Sequence, residues 1–141
     1  MGPYVLDTSA VMAVLLGEPG AETTRDTIIG NEDVLLPFVA LMEVEYKLTR
    51  HSRDAADKGL EAVASWPVEV VESNPPWRSE AARVKAGGKV SLADAWVAAL
   101  ALLKDAELVH KDPEFDSIPN LKHLRLPYKP KDRLGRDKTH G

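Results

Sequence analysis

Four carboxylates stand where helical and extended patterns meet in this chain: Asp7 in VLDTS, Glu43 in FVALMEVEY, Asp94 in SLADAWVAALAL and Asp112 in ELVHKDPEF. Acids so placed can cap helices, open turns, pair with bases or hold a cation. Asp7 follows Tyr4-Val5-Leu6 and precedes the apolar run Ala10 to Leu16, so Asp7, Thr8 or Ser9 could each cap that helix. Glu43 has five apolar residues before it and Val44 after it, a crowded setting for a charge. Lys47 lies four residues on, which offers Glu43 a surface pairing worth a few tenths of a kcal/mol, and Glu45 is its rival at the same place. Asp94 is the sole polar residue among the twelve from Leu92 to Leu103, and it also completes a capping-box pattern with Ser91. Asp112-Pro113 is a turn opener, and Asp116 could share or replace the role of Asp112.

The elements that must position these acids follow from periodicity and breakers. Strands are expected at Tyr4-Val5-Leu6, Val34-Leu35-Leu36, Val68 to Val71, Leu108-Val109 and, at an edge, residues 123 to 126. Helices are expected over Ala10 to Leu16, Ala21 to Ile29, Phe38 to His51, Arg53 to Trp66, Pro76 to Lys85 and Ser91 to Ala106. The last of these carries Asp94 in an apolar setting on every side, which predicts burial. Strands alternating with helices predict βαβ units, right-handed crossovers and a mainly parallel sheet covered on both faces. Asp7 and Asp112 then end strands, and Glu43 and Asp94 lie near the starts of helices that lead to the next strand. All four come to the carboxyl edge of the sheet, where ligands bind in open α/β folds. Four like charges gathered there repel unless a hard cation neutralises them, and an oxygen-only donor set favours Mg2+ or Mn2+ over zinc.

Composition sets the limits around that site. The 141 residues, 44% of them hydrophobic, suit one compact domain, and the absence of cysteine excludes disulfides, thiolate metal sites and thiol nucleophiles. MGPYVLDTS has no basic stretch before an apolar one, and Leu92 to Leu103 is too short to span a bilayer, so a cytoplasmic protein without a membrane segment is expected. The net charge of -4 argues against binding nucleic acid by bulk attraction alone. Five bases against two acids from Lys129 onward leave the tail at +3 and residues 1–128 at -7. The chain therefore divides into a domain over 1–128 and a basic C-terminal tail over 129–141.

In order and spacing, VLDTSA, ALMEVEY, SLADAWVAALAL and ELVHKDPEF resemble the PIN-domain family, and more closely the VapC-type ribonuclease toxins of toxin–antitoxin pairs. The resemblance covers residues 3 to 128. It implies a three-layer α/β/α sandwich with a five-stranded sheet in the order 3-2-1-4-5, and metal ligation by Asp7, Glu43, Asp94 and Asp112. It also implies an antitoxin partner seated in the groove by the acids, and a homodimer. This chain departs from the family's pattern at His110, where threonine or serine usually stands two residues before the last acid.

The chemistry implied is hydrolysis of an RNA phosphodiester by in-line attack of water, leaving 5′-phosphate and 3′-hydroxyl ends, with carboxylates that hold metal and do not act as nucleophiles. Ser9 is expected to position a carboxylate or the scissile phosphate through its hydroxyl, with Asp116 and His110 as further supporting candidates. Arg78, Arg83, Lys85 and Lys89 offer phosphate contacts or a solvated helix face, and Trp66, Trp77 and Trp96 could stack on bases, although Trp96 falls on a core stripe. Two alternatives use the same residues: a PIN-like binding module with an idle site, and a haloacid-dehalogenase or receiver-like domain phosphorylated at a strand-end aspartate. Against the second, the residue two positions after Asp7 is Ser9 rather than an acid.

Overall fold

Asp7 ends β1 (Tyr4–Leu6) with its backbone still extended, while its carbonyl already accepts from the amides of Ala10 and Val11. That is the geometry of an N-cap, so α1 runs Thr8–Leu16 and starts one half-turn earlier than the apolar pattern alone predicts. Gly17, at φ 66, closes α1 in the left-handed region. Gly20, at φ 99, then packs so tightly that a Cβ there would stand 2.9 Å from that of Leu126. The remaining elements are α2 (Ala21–Gly30), β2 (Val34–Pro37), α3 (Phe38–Thr49), α4 (Arg53–Ala64), β3 (Glu69–Val71), α5 (Pro75–Gly87), α6 (Leu92–Lys104), β4 (Glu107–His110), a 3-10 turn at Pro113–Ser117 and β5 (Lys122–Arg125). This computed structural model describes residues 2–128, and the tail at 129–141 lies outside the described residues.

All strands pair in parallel in the order β3-β2-β1-β4-β5, as the resemblance implied. Neighbouring positions in a strand face opposite sides of the sheet, and that alternation builds two cores. Val5, Leu35 and Leu108 pack with α5 and α6 on one face, whereas Leu6, Leu36 and Val109 pack with α1, α3 and α4 on the other. The edge strand β3 leaves Glu69 and Val70 both exposed, so the covered side that its Val-Glu-Val alternation suggests for Val70 is not formed at this sheet edge.

Two local features differ from the sequence reading. α6 is not buried all round, since Leu92 is 66% and Leu103 45% exposed. It lies in an outer layer, where only the faces toward the sheet and α5 are covered. The second concerns the tryptophans. Trp77 is buried, and its indole N–H donates to the carbonyl of Trp96 at 2.7 Å, while both rings and Phe38 meet edge to face. Those rings bind α3, α5 and α6 together, which removes Trp77 as a base-stacking surface. No described helix is long and apolar enough to cross a membrane.

Candidate metal centre

The central strand β1 delivers Asp7 to the carboxyl edge, between the ends of β2 and β4 where the strand order reverses. Its Oδ2 accepts from the backbone N–H of Ser9 at 3.1 Å and from the Ser9 hydroxyl at 2.5 Å. One carboxylate therefore both caps α1 and stands at the carboxyl edge of the sheet. The Ser9 hydroxyl oxygen also accepts from the backbone N–H of Lys111 at 3.0 Å, which ties α1 to the segment after β4. Ser9 stands where a haloacid-dehalogenase-type enzyme would carry its second acid, and here it holds Asp7 in place.

Asp94 comes from the first turn of α6. Half of the expected capping box is formed, because the Asp94 N–H donates to the Ser91 hydroxyl at 3.1 Å. The reciprocal half is not made by Asp94: the Ser91 N–H donates instead to Oε1 of Glu114 at 3.1 Å. With Glu114 taking the cap, the Asp94 carboxylate turns toward Asp112, and single ligand atoms of Asp94, Asp112 and Glu114 lie within 4.8 Å of one another. Asp112 itself caps the 3-10 turn through Oδ1, which accepts from the Glu114 N–H at 2.9 Å. Glu114 was invisible to the sequence reading as a site residue. The only signal for it is its spacing, two residues after a turn-opening acid.

Glu43 reaches the group from the second turn of α3. Its Oε1 accepts from the Thr8 hydroxyl at 2.6 Å, across 35 residues of sequence. The pairing of Glu43 with Lys47 that helical spacing suggests is not formed, whereas Glu45 pairs with Arg53 at 3.1 Å and faces away from the acids. Packing thus resolves which glutamate of the EVE run joins the cluster. Thr8, buried beside Asp7, is a second participant that sequence did not single out.

Electrostatics follow from this crowding. Burial pushes Asp7 up to about 6, against the lowering effect of the Ser9 bonds, and the charges of Glu43 and Asp112 add to the rise. Asp94 is pushed up to about 9 by burial first, then by the charges of Asp7, Asp112 and Glu114. Among the described residues no lysine or arginine forms an ion pair with Asp7, Glu43, Asp94 or Asp112. The neighbouring Lys111 cannot serve, because its buried ammonium is held by Glu18 at 3.2 Å and by the carbonyl of Pro19 at 2.9 Å. Oxygen donors that retain protons and lack a protein cation fit a hard divalent ion.

The other supporting candidates form a separate cluster. His110 is fully buried, and its Nδ1 accepts from the backbone N–H of Asp112 at 3.1 Å. That places its proton on Nε2, which donates to Nδ1 of His123 at 2.8 Å. Burial, then the facing His123, holds His110 down at about 4. Asp116 bonds Arg125 at 2.9 Å and the Tyr128 hydroxyl at 3.2 Å. Although His110, Asp116 and His123 could be drawn as a metal site, His110 has no free lone pair and Asp116 is already paired. His110 is a strut behind Asp112, placed where the family usually has a hydroxyl. Of the other bases, Arg83 pairs with Glu80 and Lys85 donates to the carbonyl of Val90 at 2.7 Å.

A family model for the PIN domain matches residues 4–121. Among solved structures, the chain is similar to VapBC2 from Rickettsia felis bound to a DNA fragment from its promoter, with a TM-score of 0.74 at 17% identity, covering 88% of this chain and 98% of that one. DNA-bound VapBC from Salmonella typhimurium gives a TM-score of 0.75 at 19% identity, covering 89% and 98%. VapC20 from Mycobacterium tuberculosis, a toxin that cleaves the sarcin–ricin loop, gives 0.67 at 18% identity, covering 88% and 99%. No curated protein sequence matches.

Proposed function

Since this chain belongs to the PIN-domain family, we propose that it is a metal-dependent endoribonuclease and the toxin of a toxin–antitoxin pair. The observation that carries the reading is the convergence of Asp7, Asp94 and Asp112, with Glu43 beside them, at one edge of the sheet, where none of them pairs with a lysine or arginine among the described residues. The similarity of fold to VapBC complexes supports an antitoxin partner, and a homodimer is the assembly that family resemblance implies.

Asp7, Asp94 and Asp112 would hold Mg2+ or Mn2+, with Glu43 completing the acidic set. The ion supplies Lewis-acid stabilisation of the charge that develops on the phosphate and on the leaving 3′-oxygen. The chain's own groups orient that chemistry. Ser9 fixes Asp7, Thr8 fixes Glu43, and the Glu114 N–H fixes Asp112, so the carboxylates are set before substrate arrives. Their excess negative charge repels RNA until a cation is bound, which makes substrate binding depend on metal. Attack by water in line with the leaving 3′-oxygen gives 5′-phosphate and 3′-hydroxyl ends, and no carboxylate forms a covalent intermediate.

The test is incubation of purified wild type and Asp94→Asn with single-stranded and structured RNA, with and without Mg2+, followed by analysis of the ends. Metal-dependent cleavage by wild type alone, with 5′-phosphate ends, is expected. Trapping of a phosphoaspartate from a small phosphodonor would overturn the reading in favour of phosphotransfer, and Mn2+-free partner binding without any cleavage would favour an idle module.

A further inference from the structure

α1 and α3 both start at the acid cluster and pack against each other as they lead away from it. Along α1, Ser9, Met12 and Leu16 follow at steps of three and four, which keeps them on one face. Glu43 and Lys47 do the same along α3, and Arg50, its C-cap, and His51 just after it continue that spacing, so the stripe that begins with a candidate ligand goes on as basic and imidazole side chains. Ser9, Met12 and Leu16 on one wall and Lys47, Arg50 and His51 on the other line a single cavity of about 290 Å³. Its volume is at the small end for ligand pockets, which span about 300–1,000 Å³.

The two walls differ in kind. Leu16 is 46% exposed, an apolar ledge left open at the mouth of the site. Lys47 and Arg50 are exposed and make no ion pair among the described residues; the Arg50 guanidinium lies 4.9 Å over the ring of Tyr46. Lys111, on the floor, has its charge matched by Glu18, so the unmatched positive charge belongs to α3 alone. Two unpaired cations beside a cluster of acids, in a body of net negative charge, are placed to receive an anion that extends from the site. By helix rise, Lys47 and Arg50 stand about 6 Å and about 10 Å along the axis from Glu43.

We propose that this cleft holds the nucleotide adjacent to the scissile bond, with Lys47 and Arg50 on its phosphate and Met12 and Leu16 against its base. The substrate is then single-stranded at that position, because a base can reach an apolar ledge only when it is unpaired and unstacked. The inference rests on the ribonuclease reading above and adds to it the path of the strand and the strandedness of the target.

The experiment measures anisotropy of a labelled single-stranded oligoribonucleotide across a salt series at a fixed, saturating Mg2+ concentration, in the Asp94→Asn background so that the RNA stays intact. Adding Lys47→Ala and Arg50→Ala should weaken binding about tenfold or more and reduce the salt slope by about 0.7 for each phosphate contact removed. Lys47→Arg should keep both, and Lys104→Ala, at the far end of α6, should leave both unchanged. A fully paired duplex should bind without sensitivity to the Lys47 and Arg50 changes. Thermal midpoints equal to that of the parent would confirm that the surface variants are folded. Affinity and slope unmoved by the double change, an equal loss from Lys104→Ala, or equal sensitivity of duplex binding would each overturn the proposal. Wild type that cleaves RNA in Mg2+ while Lys47→Ala/Arg50→Ala matches it would remove this inference alone, whereas wild type that cleaves no RNA removes the nuclease reading with it.

Discussion

The hydroxyl of Thr8, the first residue of α1, donates to Oε1 of Glu43 in the second turn of α3 at 2.6 Å. One bond thereby aims the glutamate that helical spacing would otherwise assign to Lys47. Thr8→Val keeps the shape and removes the donor. Partners of this kind behind metal ligands affect affinity about 10- to 100-fold, so Mn2+ affinity should fall by about tenfold, and Thr8→Ser should restore it. Isothermal titration with Mn2+ reads the effect, and unchanged affinity in Thr8→Val would show the bond to be idle.

Asp94→Asn should have opposite effects on activity and on stability. Losing a ligand should lower RNA cleavage by about a hundredfold or more. In metal-free protein the same change removes a buried acid crowded by Asp7, Asp112 and Glu114, so the thermal midpoint in EDTA should rise. A lower midpoint in EDTA would contradict the picture of repelling carboxylates.

Glu114 occupies the Ser91 N–H that Asp94 would take in an ordinary capping box. Glu114→Ala should let Asp94 swing back onto Ser91 and lower Mn2+ affinity about tenfold. Glu114→Gln keeps an oxygen for Ser91 and should retain more of that affinity than the alanine variant. Equal affinity in both variants and wild type would mean that Asp94 is held by other contacts.

Stability against pH should show two opposing trends in EDTA. Asp7 and Asp94 have folded values above the usual carboxylate range, so the folded state binds more protons and stability falls as pH rises from about 4, through about 6 for Asp7 and toward about 9 for Asp94. The Asp7 shift alone corresponds to about 3 kcal/mol. His110 is held down at about 4, so its neutral folded form gains stability as pH rises from about 4 to its ordinary value of 6.5. The trends offset one another below pH 6.5, and only the Asp94 loss continues above it. Urea unfolding should therefore show a decline between neutral pH and about 9. Saturating Mn2+ should abolish it, because the bound ion favours the ionised carboxylates. A metal-free stability that rises over that interval would refute the assignment.

His110→Ala should cost about 2–4 kcal/mol in urea unfolding, from a cavity and from the Asp112 N–H left without its acceptor. His123→Ala, at a half-buried site, should cost less. Equal and small effects would place His110 outside the structural frame of Asp112.

The sequence alone determined the order and type of the elements, since β1, β2 and β4 are built on short apolar runs and most helices show apolar spacing of their own. It also determined that Asp7, Glu43, Asp94 and Asp112 stand at strand ends or helix starts, which in a parallel α/β sheet means one edge. Those properties are local, or follow from the handedness of crossovers. What one residue accepts from another far along the chain is not local, and only the tertiary structure decided it. Glu43 rather than Glu45 joins the group because α1 packs on α3 and brings Thr8 to it. Asp94 is free to face the site because Glu114, 23 residues from Ser91, takes the cap that spacing alone assigns to Asp94. Lys111 is absent from the acid cluster although it adjoins Asp112 in sequence, because folding delivers Glu18 to its buried ammonium.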